Sequence, residues 1–369
     1  MEQENLKALL CLNRFEAPRK VIDRLEQGES LLQIWESVSS QNESLDSFNA
    51  LAEIERCAER GVRLLTWFDE DYPSLLRPIY DPPLVLYMKG TIISEDTSAL
   101  AIVGTRHPSL YGRNQARSIA RELSACGLTI VSGFAKGVDY EAHTGALEIS
   151  YGRTIAVKGC GLDVDYPQGH QKLFDQIMGE HGAILSEYPL GTTPRAEFFP
   201  RRNRIISGLT LGTLIIEASL RSGSLITAGQ AIEQGREVFC LPGQVHYPTA
   251  KGTHQLIKNG AALVEHAGDI LEALSLSLTA QQHGALERLG KTSEHLTDAQ
   301  PTPPNPKPES KRDPSEVKVL DLIKTGKADY DTLLEKSDMA HSQLASLLLT
   351  LEIQGKIKKA PVGYSVKEK

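Results

Sequence analysis

From Leu100 to Val264 the chain alternates short apolar runs with helix-length segments, and this alternation restricts the fold more than any other feature. The runs are Ala101 to Val103, Thr129 to Val131, Thr154 to Val157, Ala183 to Leu185, Thr213 to Ile216, Glu237 to Cys240 and Ala262 to Val264, most of them followed by Gly, Ser or Glu. Helical spacing fills the gaps, as in Gly112 to Ala125 and Val138 to Glu148. Strands that are apolar on both faces and joined by helices form a mostly parallel, doubly wound α/β sheet. That domain is expected over residues 67–280.

The flanks read differently. Between Leu6 and Gly61 apolar residues recur at helical spacing, at Leu6, Leu9 and Leu10, then Ile22 and Leu25, then Leu31, Leu32, Ile34 and Trp35. Residues 1–66 are therefore expected to be a small helical domain. Its first sixty residues carry 7 basic and 12 acidic side chains, which suits packing or a partner better than a phosphate surface. Residues 281–314 read as a linker, since Pro301 to Pro314 holds six prolines among fourteen residues. Beyond it, three helices at Ser315 to Thr325, Tyr330 to Lys336 and His341 to Gln354, then a hairpin turning at Pro361 to Gly363, fit a winged-helix module over 315–369.

Composition excludes several classes. No apolar run approaches the ~18 residues of a membrane span. Met1 to Leu12 carry Glu2 and Glu4 and too short an apolar stretch for a secretory signal, so a cytoplasmic protein is expected. Cys11, Cys57, Cys126, Cys160 and Cys240 lie far apart, without disulfide or zinc spacing, and no metal or cofactor is expected. The 40 Lys and Arg against 47 Asp and Glu leave a net charge of −7, so any polyanion site must be local.

In a doubly wound sheet, ligands bind beyond the carboxyl ends of the strands. The first run leads into Gly104, Thr105 and Arg106, the second into Ser132, Gly133 and Lys136, and the fifth through Glu217 to Ser222, Gly223 and Ser224. Small residues there let backbone N–H groups approach an anion. Arg195, Arg201, Arg202 and Arg204, with Asn203 among them, form a basic cluster that includes one acid, Glu197. No G-x-G-x-x-G or G-x-x-x-x-G-K-[ST] motif is present at these ends, so dinucleotide binding and NTP hydrolysis lose support.

Several motifs in fixed order resemble the DNA-processing protein A (DprA, or Smf) family. They are Asp71-Tyr72-Pro73, Asp81-Pro82-Pro83, Ile102 to Arg106, Ser132-Gly133, Gly137-Val138-Asp139, Ala142-His143, Tyr166-Pro167, Phe199 to Gly208, Gly223-Ser224, Thr227-Ala228, Gly235-Arg236 and Pro242-Gly243. The resemblance covers about 67–275. It implies a Rossmann-like domain that binds single-stranded DNA without metal or nucleotide, forms a homodimer, and helps load the RecA recombinase during natural transformation; it says less about the flanks, where residues 1–66 are expected to be a helical, SAM-like domain. On that resemblance Arg106 and Arg201 to Arg204 fall on positions that grip the strand, and together with the strand-end residues the expected DNA-binding set is Gly104, Thr105, Arg106, Ser132, Gly133, Lys136, Arg201, Arg202, Asn203, Arg204, Ser222, Gly223 and Ser224. The resemblance places the dimer interface at His254, Leu256, Ile257 and Leu263. Phe134 and Lys136 depart from the family's second loop.

A second class stays open. The stretch from Arg201 through Gly212-Thr213 to Glu217 is similar to nucleoside-monophosphate phosphoribohydrolases, enzymes on a related sheet. Their P-G-G-x-G-T-x-x-E loop is incomplete here, where Ser207 to Thr213 lacks the proline and paired glycines. Four residues have structural readings beside functional ones. Asp139 and His143 read as a capping and hydrogen-bonding pair rather than metal ligands. Glu217 reads as a carboxylate orienting an arginine of the cluster, and Cys160 as a small core residue. In the last module, Leu344, Leu347, Leu348 and Leu351 read as core, leaving few polar side chains to read a duplex.

Overall fold

The computed structural model describes residues 2–40, 48–179, 181–279, 282, 314–326, 329–337, 339–353, 356–360 and 363–366. The chain separates into two compact units, 1–293 and 294–369. The expected linker falls almost wholly outside the described residues, as do Pro361 and Val362 of the expected turn.

The first unit is built on a nine-stranded sheet. Its strands are β1 (Arg63–Thr66), β2 (Val85–Gly90), β3 (Ala99–Val103), β4 (Thr129–Ser132), β5 (Thr154–Lys158), β6 (Gly182–Ser186), β7 (Gly212–Ile215), β8 (Glu237–Cys240) and β9 (Ala262–Leu263). They are ordered β1-β2-β6-β5-β4-β3-β7-β8-β9. β2 runs antiparallel to β1 and β6, and the other pairs are parallel. The seven apolar runs of the sequence became β3 to β9. The first two strands lacked that repeating context and add an antiparallel edge.

Alternating side chains divide the sheet's two faces. Ala101, Val103, Val131, Ile155, Val157 and Leu185 meet Ile205, Ile206, Ala228 and Ala231 from two helices on one face. On the other, Leu100, Ile102, Ile130, Leu214 and Phe239 meet Ile119, Leu123, Ala142 and Ile270. The N-terminal helices α1 (Gln3–Phe15), α2 (Pro18–Glu26), α3 (Leu31–Ser39) and α4 (Ala50–Glu59) share a core with that sheet. Leu9, Leu10, Leu12, Ile34 and Cys57 pack in one cluster with Val85, Tyr87, Ala156 and Ile184. Asn13 ties α1 to the sheet, donating to the Glu187 carbonyl at 3.2 Å and accepting from the Val85 N–H at 3.2 Å.

The described residues of this unit also form α5 (Leu110–Ala125), α6 (Val138–Leu147), α7 (Gln171–Met178), α8 (Phe198–Gly208), α9 (Gly223–Glu233), α10 (Lys251–Lys258) and α11 (Ala267–Ala273). Among the described residues, no helix is long and apolar enough to cross a membrane. The second unit has helices Pro314–Lys324, Tyr330–Ser337 and His341–Ile353, then a hairpin pairing Ile357 with Val366 and Ala360 with Gly363. Its core joins Val319, Ile323, Leu333, Leu344, Leu348, Leu351 and Ile357, so Leu344, Leu348 and Leu351 of the last helix face inward, with Leu347 packed against them and Leu349 exposed.

Candidate nucleic-acid interface

The chain reverses its direction of travel across the sheet at β3, which has β4 on one side and β7 on the other. The crevice beyond that point is where a doubly wound sheet binds ligands. The loop after β3 is pinned there by the Thr105 N–H on the Glu217 carbonyl at 2.8 Å and by the Val138 N–H on the Thr105 carbonyl at 3.2 Å. Gly137 has a φ of +83°, and a Cβ on it would lie 2.6 Å from the Thr105 carbonyl oxygen. Only glycine lets the second loop come so close to the first.

Arg106 leaves this junction exposed, with its guanidinium carbon 5.1 Å from the centre of the Phe199 ring. Phe199 stands half-buried in the first turn of α8, and the Tyr166 ring is 5.6 Å away at 36°. Gly159 leaves room for it, since a Cβ there would lie 3.0 Å from its ring. A cation over an aromatic face, with a second ring beside it and Lys136 exposed on the neighbouring loop, offers both a phosphate contact and a stacking surface. Phe199 and Tyr166 were absent from the sequence-derived site. The available signal was an aromatic immediately before an arginine cluster at a strand's carboxyl end, the residue type on which unpaired bases stack.

The structure divides the arginine cluster, which the sequence presented as one anion-facing group. Arg202 is 4 % exposed and Arg204 7 %. Arg202 Nη1 donates to the Gly133 and Val157 carbonyls, and its Nε to Asn203 Oδ1 at 3.2 Å. Burial pushes Arg202 down to about 10, with the Asp139 charge opposing that shift. Burial conversely raises the Asp139 carboxyl, against the pull of Arg202. Arg204 grips Glu187 with both terminal nitrogens, at 2.5 and 3.0 Å, while its Nε donates to the Asp81 carbonyl at 2.7 Å. These two buried guanidiniums hold the loops together from inside, through acceptors on Gly133, Val157, Asn203, Asp81 and Glu187. Arg201, 42 % exposed and 3.4 Å from Glu187, and Arg195 remain at the surface.

The remaining candidates sort the same way. Ser132 is fully buried and donates to the Ile102 carbonyl at 2.6 Å, and Gly133 lies against Arg202 and Asp139. Ser222 caps α9 by accepting from the Ser224 N–H at 3.3 Å, Ser224 is buried, and Gly223 is exposed with open space where a Cβ would stand. Asn203 links the clusters, its amide 3.5 Å from the Gly223 carbonyl. Phe134 adopts φ +56°, and its ring is buried 5.3 Å from His170, so this departure in the second loop fills the core.

Glu217 orients no arginine. Its carboxylate accepts from the Ser109 N–H at 2.9 Å and the Ser109 hydroxyl at 2.5 Å, securing the start of α5. Asp139 accepts from the Ala135 N–H at 3.3 Å, whereas His143 meets Thr154 Oγ1 at 2.7 Å, so the two serve separate contacts rather than acting as a pair. Among the described residues no group of three His, Cys, Asp or Glu could hold a metal ion. Cys160 is buried, and burial raises its thiol.

Of the residues expected at a dimer interface, Leu263 is 50 % exposed on the edge strand β9. Leu256 and Ile257 are half-buried against the sheet core, and His254 Nε2 lies 3.0 Å from the Gly243 carbonyl.

Comparison with known proteins places this geometry in context. Residues 63–275 match the model of the family described as DNA recombination-mediator protein A, and residues 301–362 match the DprA winged helix domain. The chain is 40 % identical over 295 residues to Protein Smf of Escherichia coli, covering 80 % of this chain and 75 % of that one. It is 43 % identical over 218 residues to DNA processing protein DprA of Bacillus subtilis, covering 58 % and 72 %. The X-ray structure of DprA from Streptococcus pneumoniae superposes with a TM-score of 0.64 at 37 % identity, covering 72 % of this chain and 95 % of that one. DNA processing protein A from Helicobacter pylori, in a structure described for its single-stranded DNA binding mode, gives 0.52 at 32 % identity, covering 59 % and 98 %. A family match over most of the chain, two matching domains in order and a shared fold lead to one conclusion: the chain belongs to the DNA recombination-mediator protein A family.

Proposed function

We propose that the protein binds single-stranded DNA at the crevice beyond the carboxyl ends of β3, β4 and β5 and helps load the RecA recombinase on DNA entering the cytoplasm during natural transformation. The family is one of DNA-binding proteins rather than enzymes. The observation that carries the reading is the exposed Arg106 guanidinium over the half-buried Phe199 ring, beside Tyr166. An arginine and neighbouring rings at a backbone-lined crevice accept a phosphate and an unpaired base together, and a duplex hides its base faces. In this reading Arg106, Lys136 and Arg201 contact phosphates, Gly104, Thr105, Gly133 and Ser222 to Ser224 shape the crevice, and Arg202, Asn203 and Arg204 hold it rigid. The single-strand binding mode reported for the Helicobacter pylori relative supports it. A homodimer formed through the exposed edge at Leu263 belongs to the same proposal. The phosphoribohydrolase reading loses its catalytic carboxylate, because Glu217 is committed to Ser109.

Titration of fluorescent single-stranded and duplex oligonucleotides of equal length across a salt series tests the reading. The single strand should bind more tightly, with log affinity falling linearly in log salt by about 0.7 per phosphate neutralised. Equal affinity for both forms, or release of free base from nucleoside monophosphates, would overturn it.

A further inference from the structure

The first turn of α8 sends its two phenylalanines to different places. Phe199 lies with Arg106 and Tyr166, whereas Phe198 stacks on Tyr188 with ring centres 4.3 Å apart at 28°. Phe198 thereby lines two adjoining clefts, of about 340 and 240 Å³, between the N-terminal helices and residues 187–201. Arg14, at the end of α1, lines both and is exposed. Among the described residues its guanidinium lies only over rings, 5.6 Å from Phe15 and 5.3 Å from Phe48. Arg195, 66 % exposed, stands 5.8 Å from the Phe198 ring, and Arg56 and Arg201 complete the walls.

The carboxylates facing this groove are largely committed. Glu53 is buried, holds Arg56 and accepts from the Leu190 N–H at 2.8 Å. Glu187 is buried on Arg204, with Arg201 at its edge. Glu197 is exposed, 3.8 Å from Arg195. An N-terminal segment with 12 acids against 7 bases thus presents Arg14 and Arg56 to the two adjoining clefts that receive Arg195 and Arg201 from the sheet domain. Four arginines interleaved with Phe48, Phe198 and Tyr188 repeat the chemistry of the Arg106 and Phe199 site, and the consecutive Phe198 and Phe199 of α8 set the two side by side.

We infer that this groove is a second subsite for the same DNA strand, which crosses the first turn of α8 and sets phosphates on Arg14 and Arg195 and bases against Phe198 and Phe48. The inference rests on the single-strand reading above. It gives the N-terminal helices a part in lengthening the DNA footprint, beyond covering the sheet.

The test uses the full chain, thymidine oligomers of about 5 and about 20 nucleotides, and the double variant Arg14→Ala with Arg195→Ala. Both arginines are exposed, so thermal unfolding should match the unaltered protein. The longer oligomer should bind about tenfold more weakly to the double variant. Its salt slope should shrink by about 1.4, two phosphates at about 0.7 each. The shorter oligomer, filling only the Arg106 site, should bind as before, while Arg106→Ala should weaken both. Unchanged binding of the longer oligomer to the double variant would overturn the second subsite and leave the first standing. Equal weakening of both oligomers would overturn it too, by making the two arginines part of a general field. Failure of the unaltered protein to bind either oligomer would instead remove the single-strand reading, and the subsite with it.

Discussion

Arg202 and Asp139 both crowd the bare face of Gly133, where a Cβ would lie 2.8 Å from Arg202 Nη2 and 2.7 Å from Asp139 Oδ2. The two opposite charges, each opposing the shift that burial imposes on the other, tie the loop after β4 to α8 and to the start of α6, and the buried Arg202 guanidinium lies 5.9 Å from the Phe199 ring that Arg106 approaches at 5.1 Å.

Removing one partner of a buried charge pair leaves the other without compensation. Arg202→Ala should therefore cost about 3–5 kcal/mol of stability. Arg204→Ala, which strands Glu187, should cost a similar amount, and Gly133→Ala about 1–3 kcal/mol by overpacking. Urea titration of the three variants checks this. Wild-type midpoints would show that the buried arginines are not internal struts.

Arg106→Ala should behave oppositely. Its side chain is exposed, so the unfolding midpoint should hold while affinity falls alike for all single-stranded sequences and the salt slope shrinks by about 0.7. Phe199→Leu should cost about 1–3 kcal/mol of binding with little change in slope, since it removes a stacking ring and no charge. Fluorescence anisotropy at several salt concentrations separates the two effects.

Glu217→Gln tests the capping role. The carboxylate takes two hydrogen bonds from Ser109, one from N–H and one from hydroxyl, and an amide offers a single acceptor oxygen. The substitution should lower stability by about 1–2 kcal/mol without changing single-strand affinity per folded molecule. Calorimetry beside the anisotropy titration measures both.

Stability should fall on acidification. Burial pushes His143 down to about 3, below the ordinary 6.5. His170 is also lowered, by burial and by Lys136. Below pH 6.5 the unfolded chain takes up protons that the folded chain refuses. The contribution from His143 is therefore complete above pH 6.5 and declines by up to about 1.4 kcal/mol per unit as pH falls toward 3. His143→Asn should flatten the slope between pH 6.5 and 5 in urea unfolding. An unaltered slope would place the acid sensitivity elsewhere.

Leu263→Arg should yield a monomer with a native unfolding midpoint, because the residue is half exposed on the sheet's terminal strand and an isologous contact would set it against its own copy. Light scattering that still reports a dimer would move the interface away from β9.

Periodicity alone foretells the seven strands β3 to β9, but not the antiparallel edge of β1 and β2. The strands after Leu100 are apolar on both faces and separated by amphipathic segments, a pattern with few packing solutions, and β3 to β9 appear where the apolar runs lie. The sequence also located the crevice, because Gly104 to Arg106, Gly133 and Gly223 follow strand ends and small residues there mark a close approach of backbone. Tertiary structure decided which arginines are available. Arg201, Arg202 and Arg204 are near neighbours on one helix, and their differing roles follow from helical phase and from partners far along the chain: Gly133 and Val157 for Arg202, Asp81 and Glu187 for Arg204. Nothing local encodes such partners. The same holds for Glu217, separated from Ser109 by 108 residues, and for the ring of Phe199, which becomes a platform only where folding brings Arg106 and Tyr166 beside it. Periodicity is a property of neighbouring residues and survives in the sequence, whereas the pairing of buried charges and rings is set by which loops the sheet order brings together.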